Sequence, residues 1–136
     1  MAYITISDLH GRIHEHELNH IVSNDQTLIE AAIDAATAEV KAFLHDSFDT
    51  ELIFGATGSG RHNLLVRYVA DITLYDLIAS VQAGQNTEDR IRRYDRAMRW
   101  LKDAATGKIY PDLPRRETTV QSEILFGSLD RLNNTY

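Results

Sequence analysis

Asn63-Leu64-Leu65-Val66-Arg67-Tyr68-Val69-Ala70-Asp71-Ile72-Thr73-Leu74-Tyr75-Asp76-Leu77-Ile78-Ala79-Ser80-Val81 is the stretch that decides the fold. Its apolar residues recur on every side of a helix, with Arg67, Asp71 and Asp76 as the charged interruptions. A helix apolar nearly all round has no solvent face, so it belongs at the centre of a bundle. Arg67 and Asp71 are four apart and are expected to pair. Asp76 lies opposite them, which predicts either a bond to a neighbouring helix end or a place at an interface.

On the C-terminal side, Asn86-Thr87 is expected to cap a helix that runs to about Ala105 and stops at Gly107. Ile91, Tyr94, Met98, Leu101 and Ala105 recur every three or four residues as a seam, with Glu88–Arg92, Asp89–Arg93 and Asp95–Arg99 pairs outside. Trp100 falls off that seam beside Arg93. It reads either as an interface anchor or as a residue covered by the C-terminal tail. The basic run Arg90, Arg92, Arg93, Arg96, Arg99 and Lys102 shares its helix with Glu88, Asp89, Asp95 and Asp103. A solvated face or a subunit contact explains it better than nucleic acid does.

On the N-terminal side, Thr27-Leu28-Ile29-Glu30 has the capping-box pattern, with Thr27 as the expected N-cap. Leu28, Ile29, Ala32, Ile33, Ala36, Val40, Phe43 and Leu44 then form one broad apolar face. Ala31, Ala35, Ala38 and Ala42 form a second stripe, whose small side chains allow another helix to approach closely. This helix is therefore expected to have two contact faces. A further helical segment starts near Ser7-Asp8 and ends around His16 to His20, before the Ser23-Asn24-Asp25 break. Between the second and third helices, Asp49 to Arg61 reads as a glycine-rich loop, with a short hairpin following Glu51-Leu52-Ile53-Phe54. The expected fold is thus mainly α, four helices with a core domain over 1–107 and an extended C-terminal tail over 108–136. In the tail, Val120, Ile124, Leu125 and Phe126 read as an arm onto a neighbouring subunit or as a cover folded back over Trp100.

Two motifs suggest chemistry and lack its context. His16-Glu17-Leu18-Asn19-His20 satisfies the zinc-protease pattern, but too little chain precedes it to line a cleft, and adventitious metal binding is the better account. Gly55-Ala56-Thr57-Gly58-Ser59-Gly60-Arg61-His62 has the glycine spacing of a phosphate loop. It puts Arg61 where that loop needs lysine and His62 where it needs Ser or Thr. No catalytic set, cofactor site or metal site is expected, and hence no enzyme.

Composition points the same way. The 136 residues, 43% of them hydrophobic, suffice for one ordinary domain core. There is no cysteine, which excludes disulfides and thiolate metal sites and favours the cytoplasm. No apolar run approaches a membrane span, and Met1 to Arg12 does not read as a signal peptide. The net charge of −6 argues against general nucleic-acid binding. It is unevenly spread, with −8 over residues 1–60 and +2 over 61–136. That polarity is compatible with head-to-tail self-association, and equally with two differently solvated faces.

Several segments together resemble a known family. They are Tyr3-Ile4-Thr5-Ile6-Ser7-Asp8-Leu9 with Arg12-Ile13 and Glu17-Leu18, then Ile29-Glu30-Ala31-Ala32-Ile33-Asp34-Ala35-Ala36 with Ala38-Glu39-Val40. Leu65-Val66, Ala70-Asp71-Ile72 and Tyr75-Asp76-Leu77 follow, and then Arg92-Arg93-Tyr94-Asp95-Arg96-Ala97-Met98-Arg99-Trp100-Leu101 with Gly107-Lys108-Ile109. In order and spacing, across residues 3–114, they resemble a Mu-like prophage protein family of unknown function. Its members are related to the head–tail connector, or head-completion, proteins of tailed phages. The loop around Gly55–Gly60 and the tail after Arg116 depart from the family pattern. The resemblance implies a connector-type helical subunit in the virion neck, assembled in the bacterial host cytoplasm. Such a subunit self-associates into a ring, commonly a dodecamer in related connectors, between the portal protein and tail-completion proteins. The other class the sequence allows is a small dimeric phage or host regulatory protein that binds nucleic acid or a protein partner.

Overall fold

The computed structural model describes residues 2–117. It is mainly α, with six helices in this span: α1 (Ile6–Leu9), α2 (Glu15–Ile21), α3 (Gln26–Leu44), α4 (Thr50–Gly55), α5 (Asn63–Val81) and α6 (Glu88–Thr106). The expected central helix is α5. It packs against α1, α3 and α6, and α3 and α6 also touch each other. Leu65, Val69, Ile72 and Ile78 are among its wholly buried side chains. Even Asp71 and Thr73 are inside, and the Thr73 hydroxyl donates back to the Val69 carbonyl at 2.7 Å.

Four expected helices become six because two segments behave differently from their pattern. The first segment divides at Gly11-Arg12-Ile13 into α1 and α2. Thr5, rather than Ser7 or Asp8, caps α1, and Asp8 closes the capping box by accepting from the Thr5 N–H at 2.7 Å. The second correction is at Glu51–Phe54, which forms α4 and not a hairpin. Asp49 caps it by accepting from the Leu52 N–H at 3.1 Å, and Ile53 and Phe54 turn into the core. A hairpin needs a second strand, and the glycines that follow form a 3-10 turn over Gly58–Gly60.

α3 is capped by Asp25, not Thr27. Ser23 and Asn24 take positive φ angles of 54° and 63°, and the Asp25 carboxylate then accepts from the Thr27 N–H at 3.0 Å. A carboxylate suits that position better than a hydroxyl because it also opposes the helix dipole. The expected apolar face of α3 is buried through Ile29, Ile33, Ala36, Val40 and Leu44, while Leu28 remains 40% exposed.

α6 is capped by Thr87 and stops at Gly107, whose φ of 83° is the left-handed conformation that glycine adopts most easily. Its seam is rotated from the expected one. Ala97, Leu101 and Ala104 are buried, Tyr94 and Met98 are half-buried, and Ile91 is 40% exposed. The large rings set this rotation. Tyr94 stacks on Tyr75 at 4.1 Å between centroids and Trp100 tilts against Tyr68 at 5.2 Å, so the small alanines face α5 between them.

After Gly107 the chain stays on the core as far as it is described. Leu113 is buried, the Asp49 N–H donates to the Pro114 carbonyl at 2.9 Å, and the Arg116 N–H donates to the Ser47 carbonyl at 3.1 Å.

Candidate functional site

The alanine stripe of α3 is the first candidate surface. Ala31, Ala35, Ala38 and Ala42 are all exposed, while Ile29, Ile33, Ala36 and Val40 on the opposite side of the helix are buried. At ~100° per residue the stripe points directly away from α5. Asp34 and Glu30 border it on one side and half-buried Glu39 on the other. Two grooves of about 530 and 470 Å³ lie between α3 and the N-terminal segment, and Glu30 lines the first of them. Ala2 and Asp34 belong to both grooves, and Ala38 and Lys41 to the second.

A second acid sits behind Glu39. Asp76, on α5, is half-buried and takes part in no salt bridge among the described residues. Burial, and after it the neighbouring Glu39 carboxylate, raises its pKa above the ordinary carboxylate value. The unfolded chain holds Asp76 at that ordinary value, so the folded state binds this proton more tightly. Its contribution to stability is therefore fully present below the unfolded pKa, near pH 4, and is lost as pH rises through the folded value. Asp76→Asn is expected to melt higher than the parent chain at pH 7, with the difference shrinking toward pH 4. A variant that melts lower at pH 7 would show that the ionised carboxylate has a stabilising partner.

The outer face of α6 is the second candidate. Arg92, Arg96, Arg99 and Lys102 are exposed. Arg92 lies 3.8 Å from Glu88, whereas Arg96, Arg99 and Lys102 enter no salt bridge among the described residues. The predicted Asp89–Arg93 pair forms at 3.0 Å. Arg93 also donates to the Arg12 carbonyl at 3.1 Å, so its guanidinium is engaged within its own chain. Trp100 is half-buried, its ring between His62 and Tyr68. Val120, Ile124, Leu125 and Phe126 lie outside the described residues.

The two chemical motifs have other uses. In α2, Leu18 is buried, His16 and His20 are exposed, and the Glu17 carboxylate accepts from Arg90 at 2.6 Å. Among the described residues no group of three His, Cys, Asp or Glu side chains is placed to hold a metal. Glu17→Gln is expected to cost at most ~1 kcal/mol, the worth of an exposed ion pair. Zinc should stay far below one per chain in metal analysis of parent and variant alike. Stoichiometric zinc that resists a chelator would restore the metalloprotease reading. In the glycine loop, Arg61 donates to Asp8 at 2.7 Å, to the Tyr3 carbonyl at 3.1 Å and to the Gly58 carbonyl at 2.9 Å. His62 caps α5 by accepting from the Leu65 N–H at 3.2 Å. The loop therefore holds the N-terminal segment in place, and its two phosphate-loop positions are occupied by that task.

Asp71 pairs with Arg12 and not with the expected Arg67. Its carboxylate accepts from Arg12 Nε at 2.8 Å and Nη2 at 3.2 Å, a two-pronged contact, while Arg67 stays exposed. A carboxylate amid an apolar helix signals a buried partner, but the sequence cannot say which of the distant arginines supplies it.

Residues 3–125 match the family described as Bacteriophage Mu, Gp36. The chain belongs to that family. No curated protein and no solved structure gives a significant match. Membership in the Mu Gp36 family identifies a phage protein and supports a structural or assembly role. The match continues past the 3–114 span of the resemblance, into the segment that holds Val120 and Ile124. No helix among the described residues is long and apolar enough to cross a membrane.

Proposed function

We propose that this Mu Gp36 family member is a head–tail connector subunit of the neck or head-completion type. It assembles into a homo-oligomeric ring between the portal protein and the tail-completion proteins, and acts by assembly rather than catalysis. The observation that carries the reading is the bare outward face of α3. Four alanines in helical register lie exposed on a helix whose other side is fully packed. Such a face suits close approach by another helix, and a ring subunit needs a contact surface that its own fold leaves open. Membership in a Mu-type phage family and the outward arginines of α6 support the same role.

The test uses the full-length chain alone and with the cognate portal. Sedimentation velocity and negative-stain microscopy should give rings of about twelve copies, in keeping with closed cyclic symmetry. Phage lacking the gene should accumulate filled heads without tails, and the purified protein should restore joining. A dimer that is retained on a DNA column and does not affect head–tail joining would replace this reading with the regulatory one.

A further inference from the structure

α3 and α6 flank α5 and are matched in length at 19 residues each, about 28 Å at the helical rise. Their outward faces carry a net charge of opposite sign. On α3 the exposed acids Glu30 and Asp34 run beside the alanine stripe, with Glu39 on its other border. The helix has a single cation, Lys41, and its ammonium sits 5.5 Å from the centroid of the Phe54 ring. On α6 the C-terminal half presents Arg96, Arg99 and Lys102, with exposed Asp95 and half-buried Asp103 among them, so the cations exceed the acids there. None of the three cations is in a salt bridge among the described residues. Both helices turn their buried sides toward α5, so the two faces point away from the core and cannot meet within one chain.

We infer that the α3 face of one copy receives the C-terminal half of α6 from the next copy, a head-to-tail contact repeated around the assembly. The inference deepens the ring reading and depends on it. Alanine side chains let the two backbones approach, and the arginine stems lie across them while the guanidinium groups reach the bordering acids. Asp76, half-buried beside Glu39 and in no salt bridge among the described residues, adds a carboxylate to that border. Self-pairing is disfavoured on both sides. α3 against α3 opposes Glu30 and Asp34 to their own copies, and α6 against α6 brings together Arg96, Arg99 and Lys102 of both copies, which Asp95 and Asp103 offset only in part. A contact between two different faces does not stop at a dimer, and it closes into a ring when the rotation permits.

The chain has no cysteine, so engineered disulfides report the contact without background. Full-length chains carrying Ala31→Cys, Ala35→Cys or Ala38→Cys are each mixed in turn with Arg96→Cys or Arg99→Cys chains and oxidised. A covalent dimer is expected in at least one mixture and in no chain oxidised alone. In parallel, Glu30→Arg with Asp34→Arg, and Arg96→Glu with Arg99→Glu, should each weaken self-assembly by tenfold or more at an unchanged melting temperature. All four changes in one chain should restore it. Disulfides in the singly substituted chains alone, or no recovery in the fourfold variant, would overturn the inference. If the parent chain still forms rings in that case, the connector reading survives and the contact lies elsewhere. A parent chain that stays single at every concentration and with the portal present removes both.

Discussion

Replacing Asp71 with alanine is expected to lower the free energy of unfolding by about 3–5 kcal/mol, a large part of what holds a domain of this size together. Its side chain is 3% exposed, and that of its partner Arg12 is 20% exposed. Truncation leaves the guanidinium in a partly dry site with no carboxylate to face it, so the cost is that of an uncompensated charge as well as a lost bond. The effect should spread, because Arg12 links the α1–α2 turn to the centre of α5, and Arg93 of α6 donates to the Arg12 carbonyl. The double variant Arg12→Leu, Asp71→Leu should recover much of the loss, since removing both charges leaves nothing unpaired. Urea denaturation of the three chains checks this. A loss below ~1 kcal/mol for Asp71→Ala would mean that water reaches Arg12 freely and the pair behaves as a surface bridge.

That pair also shows where sequence reading ends. The bounds of α5 were legible because an all-round apolar run between His62 and Gln82 permits only a central helix. The stop of α6 was legible because Gly107 is a local signal. The alanine stripe was legible as a second face because small residues at helical spacing need no knowledge of the rest of the fold. What failed were choices between a near partner and a far one. Arg67 is four residues from Asp71 and was the natural local pairing, yet Arg12, 59 residues away, takes the carboxylate. Glu51–Phe54 was strand-like in composition, but its fate depended on Asp49 capping a helix and on the pocket that Ile53 and Phe54 fill. The seam of α6 shifted because Tyr75 and Tyr68 supply ring partners for Tyr94 and Trp100. Periodicity along α6 contains no information about those partners.

Ala35→Leu is expected to abolish assembly while leaving the single chain as stable as before. Ala35 is exposed, and leucine is nearly as good a helix former as alanine, so the unfolding free energy should move by no more than ~0.5 kcal/mol. At a close helix contact, however, the added atoms hold the two backbones apart and break the packing along the whole stripe. The neighbouring residue is the control. Ala36 is fully buried against the core, so Ala36→Leu should instead cost the monomer about 1–3 kcal/mol through overpacking. Two adjacent alanines thus separate the two faces of α3, one read by melting and the other by sedimentation. Ala35→Ser keeps the side chain small and should retain rings, which distinguishes a steric block from any change at that position. Rings of normal size from Ala35→Leu would show the stripe to be a solvent face, and the bare side of α3 would then no longer support the connector reading.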